Sequence, residues 1–205
     1  MALQKKSLRA SEQDRSDVKQ ARAIWRECQP RVDANQLVFL DETGLSTDMA
    51  RLRGWGWGGQ RVIDATPCGR WHTNSLISAI TPDGVLAAML LDGPLNGNWF
   101  THFCDHLLGP VLPPGSMVVL DNLGAHKVSA AATALERIGC SLAFLPAYSP
   151  DLNPIENIYA KVKSIVRKLR PRTWDQIVDA TREALLAITS QDCQHCIEHC
   201  GYELL

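Results

Sequence analysis

Two short apolar runs, each followed directly by an aspartate, constrain the fold of this chain more than any other feature. Residues 37–40 (Leu-Val-Phe-Leu) lead into Asp41, and residues 117–120 (Met-Val-Val-Leu) lead into Asp121. Short apolar runs rich in Val, Phe and Leu predict buried strands. A third carboxylate, Glu156, lies at the start of a predicted helix. The sequence therefore predicts two strand-end aspartates and one helical glutamate as its candidate functional residues.

Three carboxylates on separate elements are the donors that hard Mg²⁺ or Mn²⁺ ions prefer. Two such ions about 3.5–4 Å apart can activate an attacking oxygen and stabilise a leaving one. We therefore expect Asp41, Asp121 and Glu156 to be catalytic and to bind two metal ions that act on nucleic acid. Blander interpretations stay open, because an aspartate after a strand is also a common turn starter and Glu156 could close a capping box with Asn153.

The order of the predicted elements indicates an α/β fold. Further strands are predicted near residues 73–80 and 85–91, joined by a turn at 81–84, and at residues 141–145. Helices are predicted at residues 11–28, 98–112, 127–138, 154–169 and 174–188, with a final helical turn or two. Three meandering strands followed by alternating helices and strands predict a mixed five-stranded sheet with helices on both faces and extra C-terminal helices.

This order is similar to that of a ribonuclease-H-like fold, in which the first and fourth strands are neighbours. Such a fold would place Asp41 beside Asp121, and a later helix would bring its glutamate over them. We divide the chain into a linker helix at residues 1–35, a catalytic domain at residues 36–172 and a C-terminal helical extension at residues 173–205.

Composition excludes several classes of protein. A chain of 205 residues with 45% hydrophobic content can form one full core, and its apolar runs are far shorter than a membrane span needs. The N-terminus carries no apolar secretion signal, and seven mostly dispersed cysteines favour reduced thiols, so we expect a cytoplasmic protein. Cys193, Cys196 and Cys200 share one helical face, which fits core packing better than zinc, since zinc needs four ligands.

The distribution of charge indicates a nucleic-acid surface although the net charge is only −1. Residues 157–172 contain six basic residues and no acidic one, and residues 1–31 contain eight basic and four acidic residues. A basic stripe on the helix of Glu156 would hold a phosphate backbone beside the carboxylates, although a solvated helix face is the alternative. We expect six cations to contact DNA: Arg51, Arg53, Lys161, Lys163, Arg167 and Arg170.

Three ordered motifs carry a resemblance to a known family. Residues 40–44 (Leu-Asp-Glu-Thr-Gly), 119–126 (Val-Leu-Asp-Asn-Leu-Gly-Ala-His) and 145–157 (Leu-Pro-Ala-Tyr-Ser-Pro-Asp-Leu-Asn-Pro-Ile-Glu-Asn) resemble the signature blocks of mariner-like insertion-sequence transposases. These are superfamily endonucleases with an Asp-Asp-Glu triad. The third motif is the most specific because it is a long ordered string, and the 34 residues between Asp121 and Glu156 are typical of the group.

The resemblance implies a Mg²⁺-dependent transposase that works on the bacterial nucleoid, as a homodimer in its DNA complex. Water would attack at the transposon end, and the freed 3′-hydroxyl would then attack target DNA at a TA dinucleotide. Asn122 would orient a ligand and His126 would contact phosphate, although His126 also fits a surface position near a helix start. Residues 51–61 fall where such enzymes carry a hairpin, so Trp55 and Trp57 are expected to stack on bases or pack between subunits; a hydrophobic cover for the sheet is the alternative.

The front of the chain departs from this family. Complete members carry helix-turn-helix modules that recognise the transposon ends, whereas only about 35 residues precede the first predicted strand here. We therefore expect a catalytic half that relies on a separate helix-turn-helix polypeptide or a frameshift fusion. Two alternatives remain open: a catalytically silent DNA-binding remnant and a general ribonuclease-H-like nuclease.

Overall fold

The computed structural model describes residues 9–51, 53–66, 71–121, 132–133 and 135–204. Five strands form one sheet in the order β3-β2-β1-β4-β5. Their bounds are β1 Leu37–Ser46, β2 Thr73–Thr81, β3 Gly84–Asp92, β4 Met117–Leu120 and β5 Ser141–Phe144. The first three strands pair antiparallel, whereas β1, β4 and β5 pair parallel, so the predicted mixed sheet is confirmed.

Strand β1 is longer than the sequence predicts. We expected it to end at Asp41, but it continues to Ser46 because residues 39–46 pair with β2. Strand β4 stops at Leu120, beside Leu40. Asp41 therefore lies in the middle of β1, and among the described strands its second half, residues 41–46, pairs with β2 alone.

Among the described residues, five α-helices pack around the sheet. They are α1 Ser16–Cys28, α2 Gly97–Phe103, α3 Pro154–Leu169, α4 Trp174–Leu186 and α5 Ser190–His199. Short 3-10 helices lie at Ser11–Asp14, Gln29–Arg31, Ala34–Gln36, Gly109–Val111 and Pro150–Leu152. Helical backbone also occurs at residues 132–133 and 135–137, inside the helix predicted at 127–138, half of which lies outside the described residues.

Two predicted helices are subdivided. The segment predicted at 11–28 is broken at Arg15, whose extended backbone separates a 3-10 turn from α1. The segment predicted at 98–112 passes from α2 into a π-helix at Cys104–Leu108 and a 3-10 turn at Gly109–Val111, because Gly109 and Pro110 weaken regular α-helix. The helix predicted at 154–169 has those bounds, and Arg170 ends it in a left-handed conformation before Pro171.

The core lies on both faces of the sheet. One cluster of buried side chains joins alternate residues of β1, including Phe39, to helices α3, α4 and α5, and a second joins the other β1 face to α2 and β4. The C-terminal cysteines belong to the first cluster: Cys193 and Cys200 are buried, and Cys196 packs at its edge. Burial raises the thiol pKa of Cys193 and of Cys200 to about 12, so these side chains act as small apolar groups.

Among the described residues, none of the helices has the length and apolar character needed to cross a bilayer.

The packing of α5 predicts that the C-terminal helices contribute to the stability of the sheet. Ile197 is fully buried in the shared cluster, so Ile197→Ala should lower the free energy of unfolding by about 2–5 kcal/mol through lost contacts and a residual cavity. Leu186 is 77% exposed, and Leu186→Ala should change it by less than about 0.5 kcal/mol. Urea unfolding followed by circular dichroism measures both, and equal effects would contradict the shared core.

Candidate active site

The sheet brings two of the three candidate carboxylates to one edge. Leu40 of β1 is directly opposite Leu120 of the parallel strand β4, so the next residues, Asp41 within β1 and Asp121 just after β4, lie at neighbouring positions. Asp41 is buried, with 7% of its surface exposed, and Asp121 is half-buried. The expected pairing of the first and fourth strands therefore places these two aspartates side by side.

Asp41 is held by three donors from two different elements. Its Oδ1 accepts the backbone N–H of Glu42 at 2.7 Å, and its Oδ2 accepts the side-chain Nδ2 of Asn153 at 2.9 Å. Its backbone carbonyl accepts the hydroxyl of Tyr159 at 2.5 Å, and that hydroxyl in turn accepts the Oγ of Ser78 at 3.0 Å. The carboxylate is thus fixed on both of its oxygens.

Asn153 does not cap helix α3 with its side chain. No side-chain capping bond is present at this helix start, so the capping box suggested for Asn153 and Glu156 is wrong. The amide instead donates to Asp41, because the chain enters α3 directly over β1. Glu156 lies exposed on the first turn of α3.

The three carboxylates act on one another electrostatically. The pKa of Asp41 is raised to about 7, first by burial, then by the negative charge of Asp121, and to a smaller extent by that of Glu156. The Glu42 backbone N–H opposes this rise by favouring the charged form. The negative charges of Asp121 and Glu156 therefore both act on Asp41, and this arrangement of carboxylates would favour a bound cation.

The oxygen donors at this site fit a hard divalent cation, although they do not yet lie close enough together to coordinate one. All three carboxylates offer oxygen, and the Oδ1 of Asn153 is a buried acceptor that has no hydrogen-bond partner among the described residues. In the described ranges 9–51, 53–66, 71–121, 132–133 and 135–204, however, no three His, Cys, Asp or Glu side chains converge as a metal-binding group. Glu156 is the most exposed of the three.

The comparison with known proteins identifies the family. The family described as DDE superfamily endonuclease matches residues 36–178, which is most of the chain. The chain belongs to the DDE superfamily endonucleases. No curated protein matches the sequence.

The fold of this DDE endonuclease is that of the Mos1 mariner transposase catalytic domain. A Mos1 transposase paired-end complex with the left transposon end matches with a TM-score of 0.79 at 18% identity, over 97% of this chain and 63% of that one. The Mos1 catalytic domain solved with raltegravir and Mn matches with a TM-score of 0.71 at 16% identity, over 95% of this chain and 92% of that one. The chain thus spans 63% of the length of the longer Mos1 protein, and the predicted ribonuclease-H-like fold is confirmed.

Several contributors to the site escaped sequence reasoning. Tyr159 and Ser78 were not singled out, and Asn153 was assigned only to a helix cap. A usable signal existed for Tyr159, since it lies three positions after Glu156 and hence on the same side of α3. Asn122 and His126, predicted to support the metal ligands, lie outside the described residues.

The six predicted DNA contacts fall into two groups. Arg170 forms a two-pronged ion pair with Asp64, at 2.6 and 2.9 Å, and Lys161 pairs with Asp192 at 2.5 Å, so both are already engaged by acids from distant parts of the chain. Within the described part of the chain, the other four form no ion pair with an acidic side chain. These four are Arg51, Arg53, Lys163 and Arg167.

The Gly- and Trp-rich segment after β1 forms an arm, residues 53–66, without helix or strand. Its turn is closed by a hydrogen bond from Gln60 N to Trp57 O at 3.3 Å, and Val62 packs so closely over Gly56 that a Cβ there would lie 2.9 Å from it. Trp55 and Trp57 are 102% and 95% exposed. The interpretation of these tryptophans as a cover for the sheet is therefore wrong, and stacking on bases or packing between subunits stays a prediction.

Asp151 lies two residues before Asn153, and we expect its contribution to the free energy of unfolding to be lost in acid. Hydrogen bonding to Arg22 holds the pKa of Asp151 below its usual value, so its contribution is fully present above pH about 4 and is lost as the pH falls through the lowered folded pKa. We expect Asp151→Asn to destabilise the protein at pH 7 and to have a shrinking effect below pH 4. Thermal unfolding between pH 7 and pH 2.5 measures this, with Asp83→Asn on an exposed turn as the control. A difference that stayed constant with pH would contradict the assignment.

Proposed function

We propose that this DDE endonuclease is the catalytic domain of a DNA transposase, which cleaves phosphodiesters at transposon ends and transfers the cut strand into target DNA. The observation that carries the proposal is the placement of Asp41 and Asp121 on adjacent parallel strands, with Glu156 within electrostatic reach on the helix above. The DDE family match and the transposase fold support it.

Both reactions are phosphoryl transfers, in which one bond to phosphorus forms as another breaks. In cleavage, a water oxygen bonds to phosphorus as the bond to the 3′ oxygen breaks, which leaves a 3′-hydroxyl and a 5′-phosphate. In strand transfer, this 3′-hydroxyl bonds to a target phosphorus as the target's own 3′ oxygen leaves with a proton. Two Mg²⁺ or Mn²⁺ ions held by Asp41, Asp121 and Glu156 would stabilise the charge on the attacking and leaving oxygens.

The chain's own residues prepare this site in distinct ways. Asn153 and the Glu42 backbone fix the Asp41 carboxylate, so it enters the reaction already oriented. Tyr159 fixes the strand backbone at Asp41 and joins helix α3 to β1. Glu156 is exposed, and in this proposal its side chain turns toward Asp41 and Asp121 when the metal ions bind. The Mos1 catalytic domain was solved with Mn and with Mg, which favours the same ions here.

The substrate and partners follow from the same proposal. Mos1 has been solved in complexes with transposon-end DNA and in a strand transfer complex, which favours DNA as the partner of this chain too. We include in the proposal a homodimer in the DNA complex, insertion at TA, and recognition of the ends by a helix-turn-helix module on a separate or fused polypeptide. Action on DNA in the bacterial nucleoid belongs to the same proposal.

A catalytically silent DNA-binding remnant is the second candidate. It is favoured by one observation, namely that the described carboxylates do not converge as a three-membered metal-binding group. Binding of transposon-end DNA without cleavage in Mn²⁺, by a protein that is folded, would select this candidate.

Substitution of Asp121 tests the carboxylate site. Asp121→Ala should lower the rate of strand cleavage at least about a thousandfold, since the lost interactions are worth several kcal/mol in the transition state. The measurement is single-turnover cleavage of labelled transposon-end DNA in Mn²⁺, with thermal unfolding to establish that the variant is folded. Asp179→Ala, on the exposed face of α4, is the matched control and should cleave normally. Near-normal cleavage by Asp121→Ala would refute the assignment.

Salt-dependent DNA binding distinguishes the cations on α3 that form ion pairs within the described residues from those that do not. Replacing Lys163 and Arg167 together by Gln should weaken DNA binding regardless of sequence and reduce the slope of log affinity against log salt by about 2. Lys161→Gln should change the slope less, because Asp192 already neutralises Lys161. Binding isotherms at several salt concentrations give these slopes, and an unchanged slope in the double variant would count against this surface.

A further inference from the structure

The loop that leads into helix α3 holds a conformation that its own sequence does not favour. Tyr148 has a φ of +56°, in the left-handed region that non-glycine residues rarely adopt. A 3-10 turn at Pro150–Leu152 follows, and then Asn153 reaches Asp41. A strained residue persists where the surroundings over-determine it, so the contacts that hold this loop bear directly on the candidate active site.

Arg22 of helix α1 is the main contact. Its Nη1 donates to Ser149 Oγ and to Asp151 Oδ1, both at 2.8 Å, and its Nη2 donates to Asp151 Oδ2 at 2.7 Å. The Arg22 side chain is only 11% exposed, whereas that of Asp151 is 47% exposed. Arg22 thus binds the carboxylate in the planar two-pronged geometry that lysine cannot reproduce, and bridges it to a second loop residue.

Residues before α1 and after α5 also form hydrogen bonds to the loop at residues 148–152. Gln13, just before α1, donates from Nε2 to the carbonyl of Tyr148 at 2.6 Å. Tyr202, after α5, donates its hydroxyl to the carbonyl of Leu152 at 2.9 Å and accepts Trp25 Nε1 at 3.2 Å. Loop residues from Tyr148 to Leu152 are therefore held by segments that lie outside residues 36–178, the part matched by the DDE family.

We propose that Arg22 is a positioning residue for the catalytic centre: by binding Ser149 and Asp151 it fixes the loop from which Asn153 orients Asp41. This inference rests on the proposed function, since it names a residue that tunes the same site. Helix α1 then does more than connect domains, because it acts on the Asp41 carboxylate through a loop that lies 127–129 positions later in the chain than Arg22.

A direct role for Arg22 in holding DNA phosphate is the competing explanation. The geometry opposes it, because both terminal nitrogens already donate to the loop and little of the side chain is exposed. The two explanations differ in what Asp151 does. If Arg22 binds phosphate, removing the Asp151 charge frees it and strengthens binding; if Arg22 acts through the loop, removing Asp151 is as harmful as removing Arg22.

The experiment compares Arg22→Gln, Asp151→Asn, the double variant and Arg22→Lys in single-turnover cleavage of transposon-end DNA. We expect each single variant to lower kcat about tenfold with little change in KM, as is usual when a partner that orients a ligand residue is lost. The double variant should be no slower than either single one, and Arg22→Lys should stay slow although it keeps the charge. Arg15→Gln is the matched control, because Arg15 binds Asp17 with two prongs in an exposed local pair, and it should cleave normally.

A second readout does not depend on cleavage. Mn²⁺ affinity of the DNA-free protein, measured by electron paramagnetic resonance, should fall in Arg22→Gln and Asp151→Asn but not in Arg15→Gln, and amide exchange should rise at residues 149–153. Unchanged kcat and Mn²⁺ affinity in Arg22→Gln, or full rescue by Arg22→Lys, would overturn the proposal. If the wild type binds Mn²⁺ but cuts no DNA, the transposase assignment fails while the Mn²⁺ and exchange data still decide the role of Arg22.

Discussion

The structure depends on a carboxylate kept in the middle of a buried strand. Burial and two neighbouring negative charges oppose ionisation of Asp41, and its pKa rises to about 7. A buried carboxylate is tolerated only when donors satisfy it, and here they come from the strand itself and from Asn153. The position of helix α3 over β1 is therefore a requirement of the site as much as of the core.

Helix α3 meets this requirement by using its first turns for chemistry and its later turns for packing. Asn153, Glu156 and Tyr159 all lie within the seven residues 153–159 at its start, and the first and last of these contact Asp41. Further along, Val162 and Val166 are fully buried against the sheet and the C-terminal helices. One rigid element thus transmits the packing of the whole core to the orientation of the carboxylates, which is how a rigid scaffold positions catalytic groups.

Sequence patterns predicted the architecture well because burial and periodicity decide it. The five strands and the bounds of α3 follow from apolar runs and turn residues, and the neighbouring positions of Asp41 and Asp121 follow from the similarity of the element order to a ribonuclease-H-like fold. The site was harder to predict because its partners are set by tertiary contacts. Asn153 is predicted only as a helix cap, since local sequence cannot reveal that its amide nitrogen donates to Asp41, 112 positions earlier in the chain. Likewise, no local pattern reveals that Arg170 is engaged by Asp64 and Lys161 by Asp192.

These ion pairs change how the charged surface should be understood. A cation already paired within the protein must release its acid before it binds phosphate, so its gain from DNA is smaller than that of an unpaired one. The pair between Arg170 and Asp64 has a second consequence, because it ties the exposed arm of Trp55 and Trp57 to the end of helix α3. Phosphate bound at Arg170 would compete with Asp64 and loosen the base of the arm. If DNA binds along α3 as proposed, a contact with Arg170 would therefore couple that binding to the position of the arm through one guanidinium group.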